Sequence, residues 1–213
     1  MSSSEKDPDE RSRLRPPSGV PVLSALLDRR STAALVEPGP DAAEVELLLQ
    51  AAATAPDHGR LRPWRLVVID GDARARFADA LEDGGLSRTP DLSNGIRQKL
   101  RAKAFVAPTL IAVVAAPRPA KVERWEQVAS AACTAYAMVL AAHGLGLGAM
   151  WKSVPFRTGP LLADLLDMEP DDELLGWVLV GTPADPSATV GRGAAELAGI
   201  AFHLDDEGRL RPH

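Results

Sequence analysis

The chain has 213 residues, 46 % of them hydrophobic and 25 % charged, which fits one globular domain with a core large enough to need no covalent staples. Its 24 basic and 29 acidic side chains leave a formal charge of −5, which argues against broad electrostatic binding of nucleic acid or an anionic membrane but leaves room for a local anion site. A single cysteine, Cys133, excludes an intrachain disulfide and a one-chain thiolate cluster, and His58, His143, His203 and His213 have no metal-ligand spacing.

Residues 1–19 are charged and Pro-rich without apolar periodicity, so a disordered tail is expected, followed by one domain over 20–213. No apolar stretch follows the basic residues of the tail and no run approaches a membrane span, so a cytoplasmic protein is expected. A first helix opens near Val20 and carries Val22, Leu23, Leu26 and Leu27 on one face before Arg29, Arg30 and Ser31. A second starts at Asp41, with Glu44 three residues on as in a capping box, and runs along Val45, Leu48, Leu49 and Ala52 towards Pro56. A polar loop spans 56–64. Leu66 to Ile69 then reads as a buried strand closed by Asp70 and Gly71.

Asp72 is placed to cap a third helix carrying Phe77, Ala78 and Leu81, with a polar break over 83–95 and another helix to about Val106. Thr109 to Ala115 is a second buried strand. Glu123 to His143 is the longest helical segment, with Gly144 as its stop, and Cys133 is expected in the core as a small apolar residue. Three glycines at 144, 146 and 148 lead into an extended stretch. A short helix follows from Pro160, then a solvated connection at Asp171 and Asp172, a strand from Leu174 to Val180, and a final element near Ile200 to Leu204. Helices that intervene between few strands give an α+β fold, a sheet with helices packed around it.

Three constellations stand out chemically. Arg29-Arg30-Ser31 offers two guanidinium groups and a hydroxyl suited to a phosphate, or simply a solvated helix end. The loop holding Asp57, His58, Arg60, Arg62 and Trp64 gathers three potential cations and an aromatic between buried elements, as a ligand loop or as a surface turn anchored by Trp64. Gly144, Gly146 and Gly148 precede Trp151-Lys152-Ser153. They follow a helix instead of opening one, so they are no dinucleotide fingerprint, and they serve either close approach to a flat ligand or a tight chain crossing. There is no serine elbow and no aromatic–basic interleaving.

Taken together, LLDRRS at 26–31, APDHGRLRPWRLVVIDG at 55–71, the run from Arg124 to Ser153 and LLGWVLVGTP at 174–183 resemble the nitroreductase family of flavoproteins, most of all its small bacterial NAD(P)H nitroreductase branch. The resemblance implies a homodimer with a mixed, largely antiparallel sheet wrapped by helices and FMN at the dimer interface. It implies that Arg29, Arg30 and Ser31 hold the phosphate and ribityl chain, that His58 and Arg62 reach in from the partner subunit, that Trp151, Lys152 and Ser153 line the flavin, and that Arg192 adds a phosphate contact. It also implies ping-pong hydride transfer from NAD(P)H to a nitroaromatic, quinone-like or related small-molecule acceptor, without a catalytic side chain or metal. Two departures from the family pattern bear on activity. Ala34 stands where an Arg is usual, and Arg62 stands where Gln is frequent. A flavin-binding or flavin-storing protein without enzymatic activity is the alternative on the same fold. An Ala-rich interaction protein with no cofactor is the alternative outside the family.

Overall fold

The computed structural model describes residues 21–153, 158–185 and 195–213. The expected tail over 1–19 and Arg192 lie outside the described residues. The chain divides into two compact units, residues 30–188 and the two terminal segments, residues 1–29 with 189–213.

Within the larger unit the order is β1 (Leu35–Val36), α2 (Ala42–Ala52), β2 (Trp64–Ile69), α3 (Ala73–Arg88), α4 (Asn94–Ala102), β3 (Thr109–Ala115), α5 (Arg124–Gly144), β4 (Gly148–Lys152), α6 (Pro160–Leu165) and β5 (Glu173–Pro183). Helix α1 (Pro21–Asp28) belongs to the terminal unit. The strands form one sheet in the order β1-β5-β3-β2, with β4 also paired to β5. Every pairing among the described residues is antiparallel, so the α+β, largely antiparallel architecture is the one found.

Strand alternation builds two cores from one sheet. On β3 and β5, Leu110, Ala112, Val114, Trp177 and Leu179 enter one core with Phe77, Leu81, Leu162 and Leu166, from α3, α6 and the residue after α6. Ile111, Val113, Val178 and Val180 enter the other with Leu48 and Ala52 of α2 and Met138, Val139 and Ala142 of α5. Successive side chains point to opposite faces, so strands covered on both sides read as unbroken apolar runs. All seven residues of β3 are buried. Phe77 meets Trp177 edge to face, with ring centroids 5.3 Å apart.

The capping box at α2 forms as its sequence predicts: Asp41 accepts the Glu44 amide at 2.8 Å and Glu44 accepts the Asp41 amide at 2.9 Å. Other boundaries differ for identifiable reasons. Helix α3 continues through the expected break to Arg88 because Gly84 and Gly85 are packing positions: a Cβ on Gly85 would overlap Leu100, and Gly84 meets Gly159 closely. Asp72 makes no side-chain cap. Gly144 stays helical and the left-handed residue is Gly146 at φ 77°. Cys133 is exposed on α5, not in the core. The Asp172 side chain is nearly buried and bonded to Arg65 at 2.9 Å, not solvated.

In the terminal unit, β6 (Phe202–Leu204) and β7 (Leu210–Pro212) form a hairpin of which only the first half was expected. Asp205 shapes its turn by accepting the Arg209 amide and the Arg211 guanidinium, which together hold its carboxyl below the usual carboxylate range.

Helix α4 is fastened to α3 by charge. Glu82 accepts from Arg101 at 2.9 Å and from Arg97, and Asp79 also pairs with Arg101. The Arg101 and Arg97 guanidinium groups hold the Glu82 carboxyl below its usual range. A folded-state value below the unfolded one gives stability that is full above the ordinary carboxylate range and lost as pH falls through the lowered value. Glu82→Gln is therefore expected to lower the melting temperature at neutral pH, with the difference from the parent shrinking in acid and in high salt. Thermal denaturation of both proteins across pH checks it.

Candidate functional site

The site is built at the end of β4 and around an irregularity in β5. The β3–β5 register shifts between Val113 and Val114, opposite Gly176 and Leu174. Gly176 sits at φ 122°, a left-handed value that favours glycine, and a Cβ there would overlap the Lys152 carbonyl oxygen. The missing side chain lets the end of β4 lie directly against the bulge. Trp151 then donates its indole N–H to the Leu175 carbonyl at 3.2 Å. Alternation along β4 sends Met150 towards the first core and Lys152 to the same side, while Trp151 takes the other.

Lys152 and Ser153 line a cavity of about 350 Å3 together with Ala33, Lys103, Val106, Trp177 and Leu179. Its walls are mainly apolar, with two lysines and a serine among the lining residues. Burial, and then the neighbouring Lys152 charge, hold Lys103 below the usual lysine range. Two cations that disfavour each other around an apolar-walled cavity make an environment that an anionic or electron-rich ligand relieves. Sequence reading missed Lys103. Its only signal was a lysine towards the end of an expected helix and six residues before a buried strand, a pattern that surface lysines share.

Arg30 and Ser31 lead into Thr32, whose amide donates to the Ala149 carbonyl at 2.9 Å, so this segment runs beside β4 and delivers Ala33 to the cavity. The structure thus brings the 30–33 segment and Lys152-Ser153 together within one unit. Arg29 belongs to the terminal unit, where its amide bonds the Ala25 carbonyl at 3.0 Å. Among the described lining residues of the cavity are neither His58, Arg62 nor Trp151.

The 56–62 loop is set apart and held rigidly. Gly59, Arg60 and Arg62 have φ of 80°, 54° and 48°. Left-handed backbone at non-glycine residues costs roughly 1–3 kcal/mol each and persists where surroundings impose it. Here Asp57 accepts the Arg62 amide at 2.7 Å, Ser130 of α5 donates to the Pro56 carbonyl, and His58 Nδ1 lies 3.0 Å from Glu126 of α5. The His58 and Arg62 side chains stay exposed.

An antiparallel sheet buried between two helical layers, with a cation-lined apolar cavity at one strand end, places the chain in a known fold group. The nitroreductase family model matches residues 26–182. The chain is 36 % identical over 169 residues to "Putative NAD(P)H nitroreductase YdjA" of Escherichia coli (strain K12), covering 79 % of this chain and 91 % of that one. A nitroreductase-like family protein from Bacillus cereus shares the fold at a TM-score of 0.67 and 22 % identity, over 82 % of this chain and 90 % of the other. A Desulfovibrio desulfuricans structure whose name describes a nitroreductase in complex with FMN matches at a TM-score of 0.61 and 25 % identity, over 83 % and 91 % of the two chains. The chain belongs to the nitroreductase family.

The Lys103 charge has a measurable consequence without any ligand. A lysine whose folded value is depressed penalises folding while it is charged in both states, and the penalty disappears as pH rises through that value to the ordinary lysine range. Lys103→Met is expected to raise the melting temperature at neutral pH, with an advantage that shrinks towards alkaline pH. Melting curves of the parent and the variant from neutral to alkaline pH check the sign.

Proposed function

We propose that this chain is an FMN-dependent NAD(P)H oxidoreductase of the cytoplasm that passes reducing equivalents, in a ping-pong cycle, to nitroaromatic, quinone-like or related small acceptors. The observation that carries the reading is Lys103 and Lys152 on one apolar-walled cavity, in a chain whose family match spans residues 26–182. The residues fit such a cofactor: Trp177, Leu179, Val106 and Ala33 offer apolar walls for a flat ring, and Lys103, Lys152 and Ser153 offer donors to its polar edge.

When bound, FMN supplies the redox chemistry, accepting a hydride from the nicotinamide and giving electrons to the acceptor. The chain's own part is to bind, orient and exclude water. Arg30 and Ser31, with Arg29, hold the phosphate and ribityl chain through charge-assisted hydrogen bonds. Arg192 adds a phosphate contact. Lys103 and Lys152 favour the electron-rich state of whatever ring lies beside them. Trp151 fixes the end of β4 through the Leu175 carbonyl, which sets where Lys152 and Ser153 stand. No side chain needs to act as a nucleophile, and no group of three or more metal-ligating side chains is present among the described residues.

His58 and Arg62 are read as reaching the site of a partner subunit, which makes the protein a homodimer. Their exposure, on a loop rigidly held yet apart from this chain's own cavity, supports that reading. So does α5, where Trp125, Ala129, Cys133 and Tyr136 recur at helical spacing along one exposed stripe, with Trp125 70 % exposed. Ala129→Arg puts a charge in the middle of that stripe and is expected to leave monomers at micromolar concentration with unchanged far-ultraviolet circular dichroism, as read by sedimentation velocity. A variant that remains dimeric removes this stripe from the interface.

The purified protein is expected to be yellow and to be bleached by NADH or NADPH under anaerobic conditions, with colour restored by a nitroaromatic or a quinone. Failure of the apoprotein to bind FMN on titration overturns the reading. Bound FMN that neither nicotinamide reduces replaces it with a flavin-storing role.

A further inference from the structure

The bond between His58 and Glu126 has a chemical direction. A carboxylate only accepts, so the 3.0 Å contact of Glu126 Oε2 with His58 Nδ1 requires the proton to sit on Nδ1. By elimination, Nε2 is the ring nitrogen left for anything outside the chain. The imidazole is otherwise open to solvent: its side chain is 69 % exposed, whereas that of Glu126 is 30 % exposed. Glu126 itself stands on the first turn of α5, the longest helix, and Ser130, one helical turn further on, holds the Pro56 carbonyl of the same loop. The inner half of the pair is thus fixed by a rigid helix and the outer half faces solvent.

We propose that Glu126 is a positioning residue for His58, selecting its Nδ1–H tautomer and ring orientation so that Nε2 is presented to the ligand. A histidine whose second nitrogen is held this way has its donor and acceptor roles decided before the ligand arrives. Neutral His58 then offers Nε2 as an acceptor, and protonated His58 offers it as a donor. This rests on the reading of His58 as a flavin contact, and the experiment separates the two.

Long-range 1H–15N correlation on the uniformly labelled full chain, at mildly alkaline pH and with the His58 signal assigned through His58→Gln, reads the tautomer without any cofactor. His58 is expected with its proton on Nδ1 in the parent and in Glu126→Gln, whose amide oxygen still accepts, but on Nε2 in Glu126→Leu, the tautomer an unrestrained histidine prefers. FMN titration of the apoproteins is the second arm. Glu126→Leu is expected to weaken binding about tenfold, as for one charge-assisted hydrogen bond, Glu126→Gln to stay near the parent, and Glu126→Leu to add nothing in a His58→Gln background.

A parent His58 protonated on Nε2, or one unmoved by Glu126→Leu, overturns the proposal. So does a loss of FMN affinity that persists in the His58→Gln background, since Glu126 then acts on the fold and not through His58. Parent-like FMN affinity in His58→Gln instead overturns the flavin-contact reading, and the tautomer arm still decides the coupling between the two side chains.

Discussion

The Lys152 carbonyl comes so close to β5 that residue 176 has no room for a Cβ. β5 must pair with β3 over Glu173 to Val180 and with β4 over Trp177 to Gly181 while its side chains feed cores on both faces. A strand with that many obligations cannot also curve smoothly around a cavity. The bulge at Gly176 absorbs the mismatch in one place, and the gap left by the missing side chain is filled by the backbone of Lys152 and Ser153. The cavity wall is therefore a by-product of how a doubly buried strand ends its register, and its two polar residues are fixed by main-chain packing rather than by their own flexible side chains.

The electrostatics of the cavity follow from the same geometry. A lysine at the end of β4 is carried towards the first core, where the 3-10 turn after α4 also delivers Lys103. Folding alone has no use for this pairing. Burial and mutual repulsion both push against the charged form of Lys103. A protein that holds such an arrangement forgoes stability at a cavity, which is characteristic of sites whose other half is a ligand.

Much of this was legible in the residues. The capping box at Asp41 and Glu44 and the seven-residue apolar run from Thr109 to Ala115 are local signals, and both elements stand where those signals put them. The misreadings have a common origin in tertiary contact. Gly84 and Gly85 are helix breakers by propensity, but here a Cβ on Gly85 would overlap Leu100 and the backbone of Gly84 packs closely against Gly159, so tertiary contact uses what propensity disfavours. Cys133 has a core-like composition around it, yet the buried side of α5 carries the polar Gln127, Ser130 and Thr134 while Cys133 stands on the exposed side, so polarity does not tell which stripe faces out. Asp172 looked solvated because its partner, Arg65, is 107 residues away. At the site, motif segments were visible one by one. The meeting of Lys103 with Lys152 was not, because it depends on the fold alone.

At position 34 the chain contributes backbone where charge could have stood. The family resemblance leads one to look there for an arginine, and this chain has Ala34, whose carbonyl accepts the Ala184 amide at 2.9 Å. An alanine at that point contributes only backbone, and it fastens the segment after Ser31 to the far end of β5. Among the described residues that line the cavity, the cations are Lys152 and Lys103, which reach it from two other elements. Lys152 is exposed, whereas Lys103 is partly buried on the cavity that Trp177 and Leu179 also line, so of the two it is Lys103 whose charge acts through the lower dielectric. A partly buried cation acts more strongly, and is less screened by salt, than one on an exposed segment such as that at Ala34. The cost of that placement is the desolvation that Lys103 bears.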